Sequence, residues 1–142
     1  MPTRAAVRCS LLALALGFTV ACGGDELPNP ENELPVGYLD SPTNGAVVPR
    51  QFRFAGWALD TSRVVRIDIY VDGRFRGSTT PTVRRPDVLK AFPQYAKSTD
   101  VVGWEVAIDL GEAPGARQVL AQAVDDAGAT RDIGSASITI AR

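Results

Sequence analysis

Aspartate is the residue type that could do most chemistry in this chain. The 142 residues include 16 acidic side chains and two cysteines but no histidine, so the commonest general base and metal ligand is missing. No G-x-S-x-G, phosphate-loop or dinucleotide motif occurs. An enzyme of this composition would have to depend on a carboxylate such as Asp60, Asp87 or Asp125. The aspartates fall at strand ends and turns, where they serve local structure, and we therefore expect no enzyme.

A second use of carboxylates is to hold calcium, which prefers hard oxygen ligands gathered from loops. In a sandwich of antiparallel strands, several of the predicted turns lie at the same end of the domain. Turn formation by scattered aspartates is the simpler explanation, and calcium binding is the alternative. The aspartates predicted at the end that these turns share are the calcium candidates: Asp40, Asp60, Asp100, Asp125 and Asp126.

The N-terminal stretch has the layout of a secretory signal peptide. Arg4 and Arg8 precede an apolar run over 11–21 that is too short to span a bilayer as a stable helix. The run ends at Thr19-Val20-Ala21-Cys22, which resembles the bacterial lipobox. That resemblance implies that residues 1–21 are removed and that Cys22 carries acyl chains such as palmitate.

Two other outcomes remain open for the processing of residues 1–21: ordinary signal-peptide cleavage near Ala21, and no cleavage, so that the segment stays as an anchor. Ordinary cleavage would leave Cys22 as a lone thiol in an oxidising compartment, whereas lipidation gives the cysteine a role. Several acyl chains provide more than the two signals that stable membrane anchoring needs. Gly23 rather than Asp follows the cysteine, which favours the outer membrane over the inner one in the lipoprotein sorting rule.

Residues 22–34 are predicted to form the lipidated end and a flexible tether. The sequence GGDELPNPENEL is rich in acids and prolines and has little to bury. Loss of the signal peptide would leave 13 basic against 16 acidic side chains, and thus a formal charge of −3. That balance does not favour nucleic-acid binding, which needs a basic patch.

Residues 35–142 show short apolar alternations separated by Gly, Pro, Asn and Asp, a pattern typical of an all-β sandwich. Asp72-Gly73 is predicted to form a tight hairpin turn. Alternation places Val65, Ile67 and Trp104 on core faces. About seven strands are expected, the first one split: 37–39 with 47–48, 52–60, 64–72, 75–80, 102–110, 117–125 and 133–141.

The segment 82–99 interrupts the strands and is predicted to carry a short helix that begins at Pro86 and ends before Pro93. Its apolar side chains are expected to cover Trp57, which alternation points outward. A ligand platform at Trp57 is the alternative. Trp57 and Tyr70, both on outward faces, are the candidate binding residues.

Six strings in this order resemble the bacterial immunoglobulin-like domains of exported proteins. The resemblance covers roughly residues 36–142 and implies an immunoglobulin or fibronectin type III sandwich. Such domains act as spacers, adhesive modules or accessory units, often beside a larger domain, and no larger domain is expected here. The strings are FAGWALD at 54–60, IYVDG at 69–73, RPDV and AFP at 85–88 and 91–93, GW at 103–104, and AVDDAG at 123–128.

Together these features predict a non-catalytic lipoprotein of the cell envelope whose immunoglobulin-like domain contacts a protein or a surface polymer. A calcium- or carbohydrate-binding adhesion module is the alternative. The membrane is an expected partner through Cys22, and no cofactor is expected unless the aspartates bind calcium.

Overall fold

The computed structural model describes residues 33–96, 99–111 and 113–142, which form a two-layer β-sandwich. Cys22, the signal peptide and nearly all of the tether lie outside the described residues. The short helix α1 (Pro86–Ala91) is followed by a 3₁₀ turn, Pro93–Tyr95. The strands are β1 (Val36–Ser41), β2 (Val47–Val48), β3 (Gln51–Leu59), β4 (Val64–Val71), β5 (Arg74–Thr79), β6 (Val83–Arg84), β7 (Val101–Asp109), β8 (Gly115–Asp125) and β9 (Thr130–Ile140).

The two sheets differ in size. The smaller sheet has the order β1-β3-β7-β6 and the larger the order β2-β9-β8-β4-β5. Every pairing is antiparallel except that of β2, which runs parallel to β9. The all-β, immunoglobulin-like sandwich predicted from the sequence is therefore confirmed. The two halves of the predicted first strand belong to different sheets, because the turn between Ser41 and Val47 carries the chain from one layer to the other.

The hairpin between β4 and β5 forms as predicted. Asp72 and Gly73 have φ angles of 49° and 74°, the left-handed conformations that a two-residue hairpin turn requires. The turn sets Val71 opposite Arg74 and Tyr70 opposite Phe75. This register fixes which side chains share the outer face of the larger sheet.

Some strand details differ from the sequence prediction. β8 begins at Gly115 and β9 at Thr130, both earlier than expected, and the unpredicted β6 pairs with the edge of β7. Val65, predicted in the core, is only partly buried, whereas Val64 is 8% exposed. The reason is a bulge after Val64, which shifts the alternation by one residue.

One apolar core fills the space between the sheets and includes side chains from both. Phe54 and Trp104 of the smaller sheet are almost completely buried, as are Ile67, Ile69 and Ile138 of the larger. The expected burial of Trp104 is confirmed, at 1% exposure. Its Nε1 is buried and makes no hydrogen bond to the described residues, so hydrophobic packing has to outweigh a desolvation cost of about 1–3 kcal/mol.

Gly56 makes the position of Trp104 possible. The two residues are opposite each other in the β3–β7 pairing. A Cβ atom on Gly56 would lie 2.6 Å from Cζ2 of Trp104 and would also overlap the carbonyl oxygen of Tyr38. The absence of a side chain at position 56 therefore admits the indole and the neighbouring strand together.

Gly56→Ala is predicted to destabilise the domain by about 1–3 kcal/mol, because the added methyl group overpacks the core at Trp104. Urea denaturation followed by tryptophan fluorescence measures this change. Arg53→Ala is a matched control on the same strand, since it removes only an exposed ion pair with Glu105, worth about 0–1 kcal/mol. Equal midpoints for Gly56→Ala and the native protein would contradict the close packing.

Candidate binding surfaces

The predicted calcium candidates mostly serve local structure. Asp125 is 1% exposed, and its Oδ1 accepts hydrogen bonds from the backbone N–H groups of Ala127 and Ala129 at 2.9 and 2.7 Å. These bonds hold the turn between β8 and β9. Asp125 is therefore a turn-forming residue, as the simpler interpretation of the sequence expected.

Asp60 and Asp126 meet at one hydroxyl group. The Oγ of Ser62 lies 2.7 Å from Oδ1 of Asp60 and 2.7 Å from Oδ1 of Asp126. A serine hydroxyl has one proton, so it donates to one of these carboxylates at a time. Asp60 Oδ1 also accepts from the backbone N–H of Ser62 at 2.8 Å. This arrangement joins the β3–β4 turn to the β8–β9 turn.

The other two candidates pair with arginines of the insertion. Asp40 accepts from Arg85 at 2.8 Å, and Asp100 lies 3.4 Å from Nη1 of Arg84. Within residues 33–96, 99–111 and 113–142, no group of three acidic, histidine or cysteine side chains is close enough together to hold a metal ion. The expected convergence of the five aspartates into one ligand set is thus not observed there. Each makes a structural contact, although the buried Oδ2 of Asp60 has no hydrogen-bond partner among the described residues.

An open depression of about 490 Å³ lies at the same end of the sandwich, between the β3–β4 turn and the insertion. Its walls include Asp60, Arg63 and Tyr95. The wall at Thr99 adjoins residues 97–98, which the structure does not describe. We assign no site to this depression.

Arg85 attaches the insertion to the smaller sheet. Its guanidinium donates to the carboxylate of Asp87, with a shortest distance of 2.8 Å, and to Asp40 of β1, also at 2.8 Å. The hydrogen bonds to Asp87 and Asp40 raise the pKa of Arg85 above its usual value. The same contact with Arg85 lowers the pKa of Asp87. The link between Arg85 and Asp40 joins residues 45 positions apart, so it fixes where the helix α1 lies.

The helix covers Trp57, as the sequence predicted. The ring centroids of Trp57 and Phe92 are 5.2 Å apart, and a small hydrophobic cluster around Leu59, Val88 and Val102 completes the contact. Trp57 is partly buried, while Tyr38, opposite it on β1, is 59% exposed. The insertion therefore covers Trp57 but leaves Tyr38 of the same face open, which favours a structural role for Trp57 over a ligand platform.

The outer face of the larger sheet has no such cover among the described residues. Phe75, Tyr70, Leu120 and Ser135 stand opposite one another on β5, β4, β8 and β9, and we call them the outer row. The Phe75 and Tyr70 rings are 5.9 Å apart in an edge-to-face arrangement, and Phe75 is 57% exposed. Two adjacent aromatic rings and a leucine form a continuous apolar strip, unlike the single exposed apolar residues that are normal on a surface.

Polar side chains flank the outer row on both sides. Gln122 Nε2 donates to Asp132 Oδ1 at 3.0 Å, and Gln118 Nε2 donates to Ser137 Oγ at 2.6 Å. Both glutamines line an open depression of about 420 Å³, together with Tyr70, Leu120, Asp132 and Ser135 of this face. Such a surface combines an apolar floor with oriented amide groups, which is the usual composition of a ligand site.

Sequence reasoning named Tyr70 as a candidate binding residue but named no other member of the outer row. The two-residue turn at Asp72-Gly73 already implies that Tyr70 and Phe75 are opposite each other. Leu120 carried a further signal, since it is the apolar member among the outward-facing positions Gln118, Leu120 and Gln122 of β8. The strand predicted at 75–80 is β5, which forms one edge of the larger sheet.

Comparisons with known proteins support the fold. No family model matches the chain, and no curated protein sequence matches it either. A solved structure of the CbhA fibronectin(III)-like modules of Clostridium thermocellum is similar, with a TM-score of 0.51 and 19% sequence identity. The match covers 75% of this chain and 46% of that chain, so this chain spans less than half of the length of that structure. The likeness shows a fibronectin III-like fold.

The described residues contain no helix that is both long enough and apolar enough to cross a membrane.

Phe92→Ala is predicted to expose Trp57 while leaving the sandwich folded. The expected result is a red shift of tryptophan emission with little loss of β-sheet circular dichroism, because Trp104 stays in the core. The same substitution in a Trp57→Phe background is the control, and it should abolish the shift. An unchanged spectrum in Phe92→Ala would contradict the contact between the two rings.

The pH dependence of stability should reflect Asp109 as well as Asp87. Arg50 donates to both carboxylate oxygens of Asp109 at 2.9 and 3.0 Å, and Gly111 N–H donates to Oδ1. These contacts lower the pKa of Asp109. A carboxyl with a lowered folded-state pKa contributes its full stability above the unfolded value of about 3.9 and loses it as the pH falls through the folded value.

Below about pH 4, the melting temperature of the native protein should therefore fall as Asp87 and Asp109 become protonated. In Asp109→Asn the fall from neutral pH should be shallower, because the group that takes up a proton is gone. Thermal melts across this range measure both curves. Parallel curves for the two proteins would show that Asp109 does not contribute.

Proposed function

We propose that this protein is a non-catalytic binding module of the bacterial cell envelope, and that it contacts a protein or a surface polymer through the outer face of its larger sheet. The observation that carries the proposal is the outer row, in which the exposed Phe75 ring packs against the partly buried Tyr70 ring, next to Leu120. Apolar groups kept at the surface in a continuous strip are typical of contact sites.

The position of the helix α1 supports the choice of this sheet. Phe92 and the hydrophobic cluster around Val88 occupy the outer face of the smaller sheet. A partner that needs a flat sheet surface would meet less obstruction on the opposite side of the sandwich. The alternative location at Trp57 would require the insertion to move.

The end of the sandwich at which the chain enters the domain also supports the proposal. Val36, where the domain begins, pairs with Leu59 at one end of the sandwich. Tyr70 lies two residues before the Asp72-Gly73 turn, which is at the other end. A domain tethered through residues 22–34 would present the outer row away from the membrane.

Anchoring through Cys22 is part of the same proposal. The lipobox-like sequence at 19–22 and the short apolar run before it support lipidation, and Gly23 favours the outer membrane. Lack of enzymatic activity is supported by the absence of histidine from the sequence and by the structural pairing of Asp40, Asp87 and Asp109 with arginines.

Crosslinking in detergent, followed by pull-down of the full chain from envelope fractions, tests the proposal. Tyr70→Ala/Phe75→Ala should reduce the retained envelope material about tenfold, because exposed aromatic anchors dominate binding energy. Tyr38→Ala removes a similarly exposed ring from the opposite face and should retain the material. Cys22→Ser should move the chain from the membrane to the soluble fraction.

Retention that is equal in all aromatic variants would overturn the assignment of the face. A Cys22→Ser chain that stays in the membrane fraction would overturn the lipid anchor without affecting the binding surface. Mass spectrometry of the retained proteins and glycans identifies the partner class.

A further inference from the structure

We infer that the outer row binds a neutral polysaccharide, with the sugar rings on the Phe75 and Tyr70 side chains. This inference rests on the proposed function and names the ligand class for the same face. The inference requires three properties of the surface: an apolar floor long enough for sugar rings, hydrogen-bonding groups on both sides of it, and a negative charge nearby that disfavours anionic polymers.

The floor of the site is the outer row itself. The apolar members Phe75, Tyr70 and Leu120 lie on three neighbouring strands, which at about 4.8 Å between strands span roughly 10 Å. That length accommodates a short run of hexose rings. A pyranose ring presents C–H groups on its flat side, and these are attracted to the negative face of an aromatic ring. Because the Phe75 and Tyr70 planes meet at 71°, one of the two rings presents its face and the other its edge.

The flanking side chains supply the hydrogen bonds. Gln122 is held by its bond to Asp132, and Gln118 by its bond to Ser137. A primary amide has two N–H donors and a carbonyl acceptor, so one such bond orients the group without exhausting it. Oriented amides on both sides of an apolar floor match a ligand that has hydroxyl groups around its rim and C–H groups on its faces.

The charges beside the outer row favour a neutral polymer. Asp68 and Asp132 stand opposite Gln122 on the strands to either side of it. Asp68 is bound by Arg66 at 2.8 Å, so that arginine is engaged by a carboxylate. Because Arg66 compensates the charge of the buried Asp68, the exposed Asp132 is the acid that a phosphate- or carboxylate-bearing polymer would approach with like charge, which costs free energy.

The size of the strip argues against a protein partner or a second copy of this chain. A stable protein interface buries about 800 Å² on each partner and has an apolar centre. Here the apolar strip consists of two aromatic rings and one leucine. A narrow strip with polar borders suits a thin, hydroxylated chain better than a broad protein surface.

Affinity gel electrophoresis of the full chain in detergent tests the inference. The probes are neutral laminarin, dextran, mannan and hydroxyethylcellulose, with polygalacturonate as the anionic polymer. At least one neutral polymer should retard the native protein. Its dissociation constant should rise about tenfold in Tyr70→Ala and in Phe75→Ala and stay unchanged in Tyr38→Ala.

Gln122→Ala should also weaken retardation, and circular dichroism melts confirm that each variant is folded. Because Phe75 is mostly exposed, Phe75→Ala keeps the test valid if Tyr70→Ala does not fold. Failure of every neutral polymer to bind, equal binding of polygalacturonate, or equal loss in Tyr38→Ala would overturn the inference. If a protein is instead retained from the envelope through Tyr70 and Phe75, the proposed function stands and the polysaccharide inference fails.

Discussion

The packing of Trp104 against Gly56 is the contact on which the rest of the domain depends. The indole fills the space between the two sheets, and Gly56 on the neighbouring strand leaves room for it. This pair fixes the register of β3 against β7, which in turn sets Trp57 on the outer face of the smaller sheet. With one cysteine expected to carry lipid and the other expected to leave with the signal peptide, the core has to hold the domain without a disulfide.

The outer faces of the two sheets differ in how far they are covered, because the helix α1 packs on the smaller sheet only. Arg85 binds Asp40 and Asp87, and this attachment places Phe92 against Trp57. The insertion thus buries aromatic surface that the smaller sheet would otherwise expose. The larger sheet presents Tyr70 and Phe75 without an equivalent cover among the described residues, and the asymmetry is the basis for assigning the contact surface to it.

Local sequence signals predicted the features that depend on neighbouring residues. Asp72-Gly73 identified the hairpin, and Pro86 with Pro93 bracketed the helix closely. Features that depend on distant residues were not predictable in the same way. The contact between Arg85 and Asp40, the bulge after Val64 and the passage of the first strand between sheets all require the tertiary register. The outer row also needs the pairing of β4 with β8. This pairing brings Tyr70 next to Leu120, although a long stretch of chain separates the two residues in the sequence.

Backbone amide chemical shifts measured during titration with the neutral polysaccharide probes test the central claim most directly. If the outer face of the larger sheet is the contact surface, the largest changes will occur at Tyr70, Phe75, Leu120 and the flanking Gln118 and Gln122. Residues 83–96 of the insertion should shift little. Changes concentrated in the insertion, with the outer row unaffected, would contradict the assignment of the contact surface to the larger sheet.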